Sequence, residues 1–199
     1  MKAVFFLDID TQKDLMTSSG SLCVPGAERM VPKLRRLFDF ARKHEIFVLS
    51  SVDAHAPDDP EFQQLPPHCV VKTDGQRKIG DTLVPRPLVL ENKPQNRNLI
   101  EAVQKNRQII IEKQTFDLFS NPVTERLLRA LPQHAIVFGV PLDLSVMHAC
   151  LRLRRLGIKT AVVTDAVRPL KPRTEKGAIE ELKGAGVEFI PMEVLLELP

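Results

Sequence analysis

Apolar positions along this chain fall into two alternating patterns. Short runs rich in β-branched residues and Phe read as strands: Ala3–Ile9 (AVFFLDI), Ile46–Val52 (IFVLSSV), Gln108–Glu112 (QIIIE), Ala135–Val140 (AIVFGV), Thr160–Thr164 (TAVVT) and Val187–Ile190 (VEFI). Between them lie stretches of helical period. In Val31–His44 the apolar residues Val31, Leu34, Leu37, Phe38 and Ala41 share one helical face. Further helices are predicted around Asn98–Asn106, Val123–Leu131, Leu144–Leu156 (ended by Gly157) and Thr174–Ala185. Strands that are apolar on both faces, alternating with helices, predict a doubly wound α/β fold of about six parallel strands covered on both sides. The 199 residues suit a single domain over 1–199. In such folds ligands gather at the C-terminal ends of the strands.

One segment breaks the rhythm. Asp53–Pro94 holds seven prolines (57, 60, 66, 67, 85, 87 and 94) and little helical period. A long irregular segment inside a compact domain is usually functional or disordered. Thr82–Leu90 within it is expected to be an extended ribbon.

Composition then narrows the function classes. Net charge is +3 with signs mixed, and the densest basic stretch, Arg152, Arg154, Arg155 and Lys159, falls near a predicted helix C-terminus, where cations complement the dipole. No nucleic-acid motif accompanies it, so nucleic-acid binding is not expected. No apolar run approaches the roughly 20 residues of a membrane span. The first strand starts so early that no signal peptide is expected. Cys23, Cys69 and Cys150 do not form a disulfide framework. The expected setting is the reducing cytoplasm and the expected partner a small molecule.

The strand ends carry the candidate chemistry. Asp8 and Asp10 close the first strand and, by alternation, point to the same side. A carboxylate there is either a cap for the following turn or a functional acid. After the second strand comes Asp53-Ala54-His55, and His68 follows in Pro66-Pro67-His68. Asp and His two apart on an extended segment can face one ion, and a second His from a loop completes the set. Two imidazoles and a carboxylate suit zinc, iron or manganese. Glu61 or Asp59 could approach that ion directly or through water. Lys113 closes the third strand, as a buried partner of Asp10 or a general acid. Ser145 follows the fourth, where a helix start favours an activated nucleophile or a developing anion, or is simply a common N-terminal residue.

Taken together these residues resemble the isochorismatase-like hydrolase superfamily, which includes nicotinamidases. Asp10-Thr-Gln12-Lys-Asp14-Leu15 is similar to its D-x-Q-x-D-F. Asp53-x-His55 and Pro67-His68-Cys69 are similar to its metal-ligand segments. Lys113 at the end of IIIEK is similar to its lysine, and Gly139-Val140-Pro141-Leu142-Asp143-Leu144-Ser145-Val146 to its G-V-A-T-D-x-C-V. The pattern runs on without a gap to Thr164-Asp165-Ala166. The resemblance implies a six-stranded parallel sheet and hydrolysis, usually of an amide. It implies Asp10 as base, Lys113 as its partner, and a divalent metal, commonly zinc, held by Asp53, His55 and His68 to anchor the substrate. It also implies a homo-oligomer.

Three departures bear on that reading. Ser145 stands where the family's amidases have their cysteine nucleophile, and a serine hydroxyl is poorly activated by a carboxylate without a histidine. Cys150, five residues on, is about 500° round the helix and belongs to the core. His148 is assigned to surface or packing. Pro141 stands where the family donates a backbone N–H to the oxyanion after a cis peptide, and proline has none. Leu15 and Leu65 replace aromatic walls of the nicotinamide pocket, leaving Phe116 or Phe119 as the aromatic candidates. Two functions follow. One is a metal-dependent hydrolase in which Ser145 attacks, or in which Asp10 acts on water. The other is a small-molecule binding or interaction protein on the same fold. An introduced serine would explain Ser145 but not Pro141.

Overall fold

A computed structural model describes residues 4–197; Ala3, the first residue of the first predicted strand, lies outside them. The strands are β1 (Phe5–Ile9), β2 (Val48–Asp53), β3 (Leu88–Leu90), β4 (Gln108–Lys113), β5 (His134–Gly139), β6 (Lys159–Val167) and β7 (Glu188–Ile190). All pair in parallel in one sheet of order β3-β4-β2-β1-β5-β6-β7. The helices are α1 (Lys13–Met16), α2 (Val31–Lys43), α3 (Leu99–Lys105), α4 (Thr124–Leu128), α5 (Met147–Arg155), α6 (Glu175–Gly184) and α7 (Met192–Leu196). The sheet thus has seven strands where the hydrophobic pattern marks about six. The additional one is β3, all that forms of the expected Thr82–Leu90 ribbon. Its first residue, Thr82, closes a 3-10 turn, Gly80–Thr82, and Pro85 and Pro87 cannot donate to a ladder.

Near-continuous apolar strands serve two cores because alternate residues face opposite sides. Phe5, Leu7 and Ile9 of β1 pack with Leu49, Ile109, Ile111 and Val137 beneath α3, α4, α5 and α6. Phe6, Val48, Ile136 and Phe138 face the other way, beneath Leu34, Leu37, Phe38 and Ala41 of α2 and Met192 and Leu195 of α7. Each fully buried Leu or Phe contributes about 1.5–3 kcal/mol relative to exposure. No helix among the described residues is long and apolar enough to cross a membrane.

The irregular segment is tied to the sheet by a buried polar network. Lys78 Nζ donates to Asp8 Oδ2 (2.6 Å) and Thr11 Oγ1 (2.7 Å), and Ser50 Oγ donates to Asp8 Oδ2 (2.9 Å). Thr11 Oγ1 donates to Asp8 Oδ1 (2.9 Å). Gln108 Nε2 donates to Ser50 Oγ and to the Thr82 carbonyl. Every polar atom of Asp8 is therefore satisfied by a donor, as a buried charge requires.

Candidate active site

The strand order reverses between β1 and β5, and the candidate residues follow the adjacent strands β4, β2, β1 and β5. Asp10, one residue past β1, has φ +50°, a left-handed backbone that Asp tolerates better than most residues. This turn of the chain overrides strand alternation. Asp8 bonds Ser50, whereas Asp10 Oδ1 accepts from Ser51 Oγ at 2.6 Å, and adjacent strand residues face opposite sides. The expected common side for Asp8 and Asp10 is thus corrected: Asp8 faces the α2 side and Asp10 the α5 side. Gly139 lets β5 close on this corner. A Cβ built there would lie 2.1 Å from the Ile9 carbonyl oxygen.

Lys113 is fully buried between two carboxylates, with Nζ 2.7 Å from Asp10 Oδ2 and 2.5 Å from Asp53 Oδ1. Burial works against its charge, but Asp10 and Asp53 outweigh it and hold the ammonium above the ordinary lysine value. The contact to Asp53 is a hydrogen bond. The contact to Asp10 is an equally buried ion pair, less well aligned, so Asp10 Oδ2 shares its only donor with Asp53. Burial pushes the Asp53 carboxyl up to about 6, with Lys113 opposing and Asp10 adding.

Asp53, His55 and His68 come together, one ligand atom from each lying within 4.8 Å of the others. Both imidazoles have their far nitrogen engaged. His55 Nδ1 is 3.0 Å from Asp59 Oδ2, and His68 Nδ1 donates to the Pro66 carbonyl at 2.9 Å. Those partners place the proton on Nδ1 and the lone pair on Nε2, facing inward. His55 Nε2 is buried with no hydrogen-bond partner. A buried unpartnered imidazole nitrogen beside a carboxylate and a second imidazole fits a divalent ion bound at about 2.0–2.2 Å. Asp59 orients His55, while Glu61 Oε1 lies 4.0 Å from His68 Nε2. Phe62 packs on both imidazoles, its ring centroid 5.4 Å from His55 and 5.7 Å from His68.

Ser145 is buried in a one-turn π-helical segment, Leu142–Val146, that precedes α5, so the helix expected from Leu144 begins with a wider turn. The Val140–Pro141 peptide is cis. Among the described residues no hydrogen bond joins Ser145 Oγ to Asp10 or Lys113. Asp143 ties this turn to the segment after β6, accepting from the Leu170 and Lys171 amides at 2.7 and 3.2 Å and from the Thr174 hydroxyl. A cleft of about 400 Å³ opens here, between Glu61, Leu65, Phe116, Leu144 and Leu170. Leu65 and Phe116 thus wall it, but Leu15 does not: it is buried in the α2-side core. Phe119 instead packs on the core under the Arg152 guanidinium, 4.7 Å away, and His148 packs on Phe116. Cys150 is core. Burial pushes the Cys69 and Cys150 thiols far up, with Asp53 and Asp10 adding at Cys69, so neither substitutes for a missing thiolate.

Three residues at the site carry roles that sequence reasoning left unassigned: Ser51, Phe62 and Gln12. Gln12 Nε2 donates to the Asp53 and Gln76 carbonyls, and its Oε1 accepts from the Asp53 amide. The available signals were two adjacent serines in an otherwise apolar strand and an amide in a buried motif.

With this geometry in place, comparison with known proteins is informative. Residues 4–194 match the family model of the isochorismatase domain. Among curated proteins none matches the chain in sequence. Several solved structures share its fold. A pyrazinamidase of Pyrococcus horikoshii in complex with zinc has a TM-score of 0.78 at 20% identity, over 95% of this chain and 99% of that one. An isochorismatase-like hydrolase from Alkaliphilus metalliredigens has 0.78 at 18%, over 98% and 97%. An N-carbamoylsarcosine amidase from Thermoplasma acidophilum has 0.73 at 20%, over 96% and 97%. Since the domain match extends over nearly the whole of it, the chain belongs to the isochorismatase family.

Proposed function

We propose that this protein is a metal-binding hydrolase acting on a C–N (amide) bond of a small molecule. The observation that carries the reading is the buried, unpartnered His55 Nε2 beside Asp53 and His68, one lysine away from Asp10. Structures of similar fold named pyrazinamidase and N-carbamoylsarcosine amidase support the reaction class, and the zinc of the first supports a divalent ion. Held by Asp53, His55 and His68, such an ion would supply a Lewis acid that anchors and polarises the substrate.

The chain's own residues do the rest. Ser51 fixes Asp10 Oδ1, leaving Oδ2 to take a proton from the attacking hydroxyl and return it to the leaving nitrogen. Lys113 pairs with Asp10 and orients it against Asp53. The attacking hydroxyl is that of Ser145, giving an ester that water then cleaves, or that of water itself. Ser145 N–H, the fourth of the π turn, is assigned to the oxyanion, whereas Pro141 donates nothing. Loss of one such donor costs about 10²–10³ in rate, so slow turnover is expected. The cleft, with Glu61, Gln64 and Lys171 beside Leu65, Phe116, Leu144 and Leu170, suits a small amide that carries both apolar and polar groups.

A second reading, a small-molecule binding protein, is favoured by Ser145 itself, whose Oγ has no hydrogen bond to Asp10 or Lys113 among the described residues. One experiment separates them. Purified protein is analysed for metal, and wild type, Ser145→Cys and Ser145→Ala are assayed on a panel of small amides. The hydrolase reading expects about one divalent ion per chain, turnover by wild type, and a gain in Ser145→Cys. Activity that survives in Ser145→Ala assigns the attack to water. Absence of metal after growth in zinc-supplemented medium would overturn the role of His55 and His68. Inert wild type and Ser145→Cys would establish the binding reading.

A further inference from the structure

The motif that supplies Asp10 continues as Thr11-Gln12-Lys13-Asp14, and the reaction above uses none of these four residues. The structure gives two of them a task. Gln12 is fully buried, yet all its hydrogen bonds go to main chain. Its Nε2 donates to the Asp53 carbonyl (2.8 Å) and the Gln76 carbonyl (2.7 Å), and its Oε1 accepts from the Asp53 amide (2.7 Å). Both peptide groups of one candidate metal ligand are thereby fixed by one side chain. Asp14 treats the other arm likewise. Its Oδ2 accepts from the Cys69 amide at 2.8 Å, directly after His68, and its Oδ1 from the Ser21 amide at 3.2 Å. The 75–79 stretch is laced to the same motif by Asp14 N–H to Gly75 O, Lys13 N–H to Arg77 O and Ile79 N–H to Thr11 O. The approach is so close that a Cβ on Gly75 would lie 2.1 Å from Asp14 Oδ2.

We propose that Gln12 and Asp14 are positioning residues that hold the carboxylate arm (Asp53) and an imidazole arm (His68) of the metal centre against the strand end that carries Asp10. Residues 10, 12 and 14 then act as one unit: the first meets the reacting proton, the second and third set the two sides of the ion site. The inference rests on the metal reading above. It also explains why an irregular, proline-rich segment can present ligands with the precision an ion demands, since outer partners of metal ligands typically govern affinity by 10–100-fold.

The test uses cobalt(II) as the probe, with two readouts independent of turnover: affinity and visible d–d spectrum of the loaded protein, and amide hydrogen exchange at Asp53 and Cys69 in the metal-free protein. Gln12→Met keeps the volume and removes the bonds; it should speed exchange at Asp53 and weaken cobalt binding by about 10-fold or more. Asp14→Ala should do the same at Cys69, and Asp14→Asn, which retains an acceptor, should recover most of the affinity. Lys13→Ala, which removes only an exposed pair with Asp74, should leave both readouts unchanged. Wild-type affinity and spectrum in folded Gln12→Met and Asp14→Ala would overturn the proposal while leaving the metal site intact. An equal loss in Lys13→Ala would also overturn it, by reducing the effect to general loosening. Should Gln12→Met not fold, the Asp14→Ala and Asp14→Asn pair decides. Wild type that takes up no cobalt would overturn the metal reading, and this inference with it.

Discussion

Two aspartates two residues apart on one strand end have opposite careers. Asp8 and Asp10 are both fully buried and both face a lysine. Asp8 lies on the α2 side, where Lys78, Ser50 and Thr11 satisfy both oxygens. Asp10 lies on the α5 side, where Ser51 satisfies one oxygen and the other meets Lys113 alone, in a less well aligned pair. Lys78 bonds Asp8 and a threonine; Lys113 is shared with a second carboxylate that is itself a candidate metal ligand. What separates them is the partner: Asp8 has a lysine and two hydroxyls to itself, whereas Asp10 shares its lysine with Asp53, and the proposed function gives it the reacting proton.

That contrast can be broken at either end. The largest expected effect is on folding. Lys78→Met leaves Asp8 buried without its cation and should cost about 3–5 kcal/mol in urea unfolding, with the metal content of the folded fraction unchanged. A cost near zero would make Asp8 no more structural than Asp10. Asp10→Asn should reverse the pattern. Its hydrolysis of a responsive amide should fall by roughly 10²–10⁴, while its urea midpoint stays close to wild type because Lys113 keeps Asp53. Asp59→Asn keeps a hydrogen-bond acceptor for His55 but removes the charge, and should weaken zinc binding by about 10-fold in a chelator competition. The smallest effect sharpens the comparison most. Adding Asp8→Leu to Lys78→Met should bring stability back to within about 1 kcal/mol of wild type, since replacing a whole buried pair is often neutral. If the double variant is as unstable as the single one, Asp8 does more than neutralise Lys78.

Much of this was legible in the sequence, for identifiable reasons. The central strands and α2 are long enough for periodicity to speak, and Asp53, His55 and Lys113 sit at strand ends, where doubly wound sheets place ligands, while His68 was legible only through its loop motif. Strand β3 was legible only as the end of an extended Thr82–Leu90 ribbon, because three residues preceded by Pro85 and Pro87 carry no period of their own. The orientation of Asp10 was not legible because alternation assumes a regular pleat, and a single residue at φ +50° ends it. Leu15 was placed in the pocket by its motif, but the one-turn helix α1 turns it into the α2-side core. Ser50 and Ser51 could have flagged both carboxylates. Two adjacent hydroxyls in a fully buried strand must each find a partner, and they face opposite sides of the sheet.

The exchange of sulfur for oxygen at position 145 has a consequence outside catalysis. Thiolate enzymes are poisoned by peroxide and alkylating reagents because the group that attacks substrates also attacks oxidants. Here the site holds a hydroxyl, and the thiols of Cys69 and Cys150 are sealed in the protein and held protonated. Under the proposed function, the groups assigned to the reaction include no thiolate for an oxidant to consume, so activity is expected to persist in peroxide that silences a cysteine-dependent hydrolase.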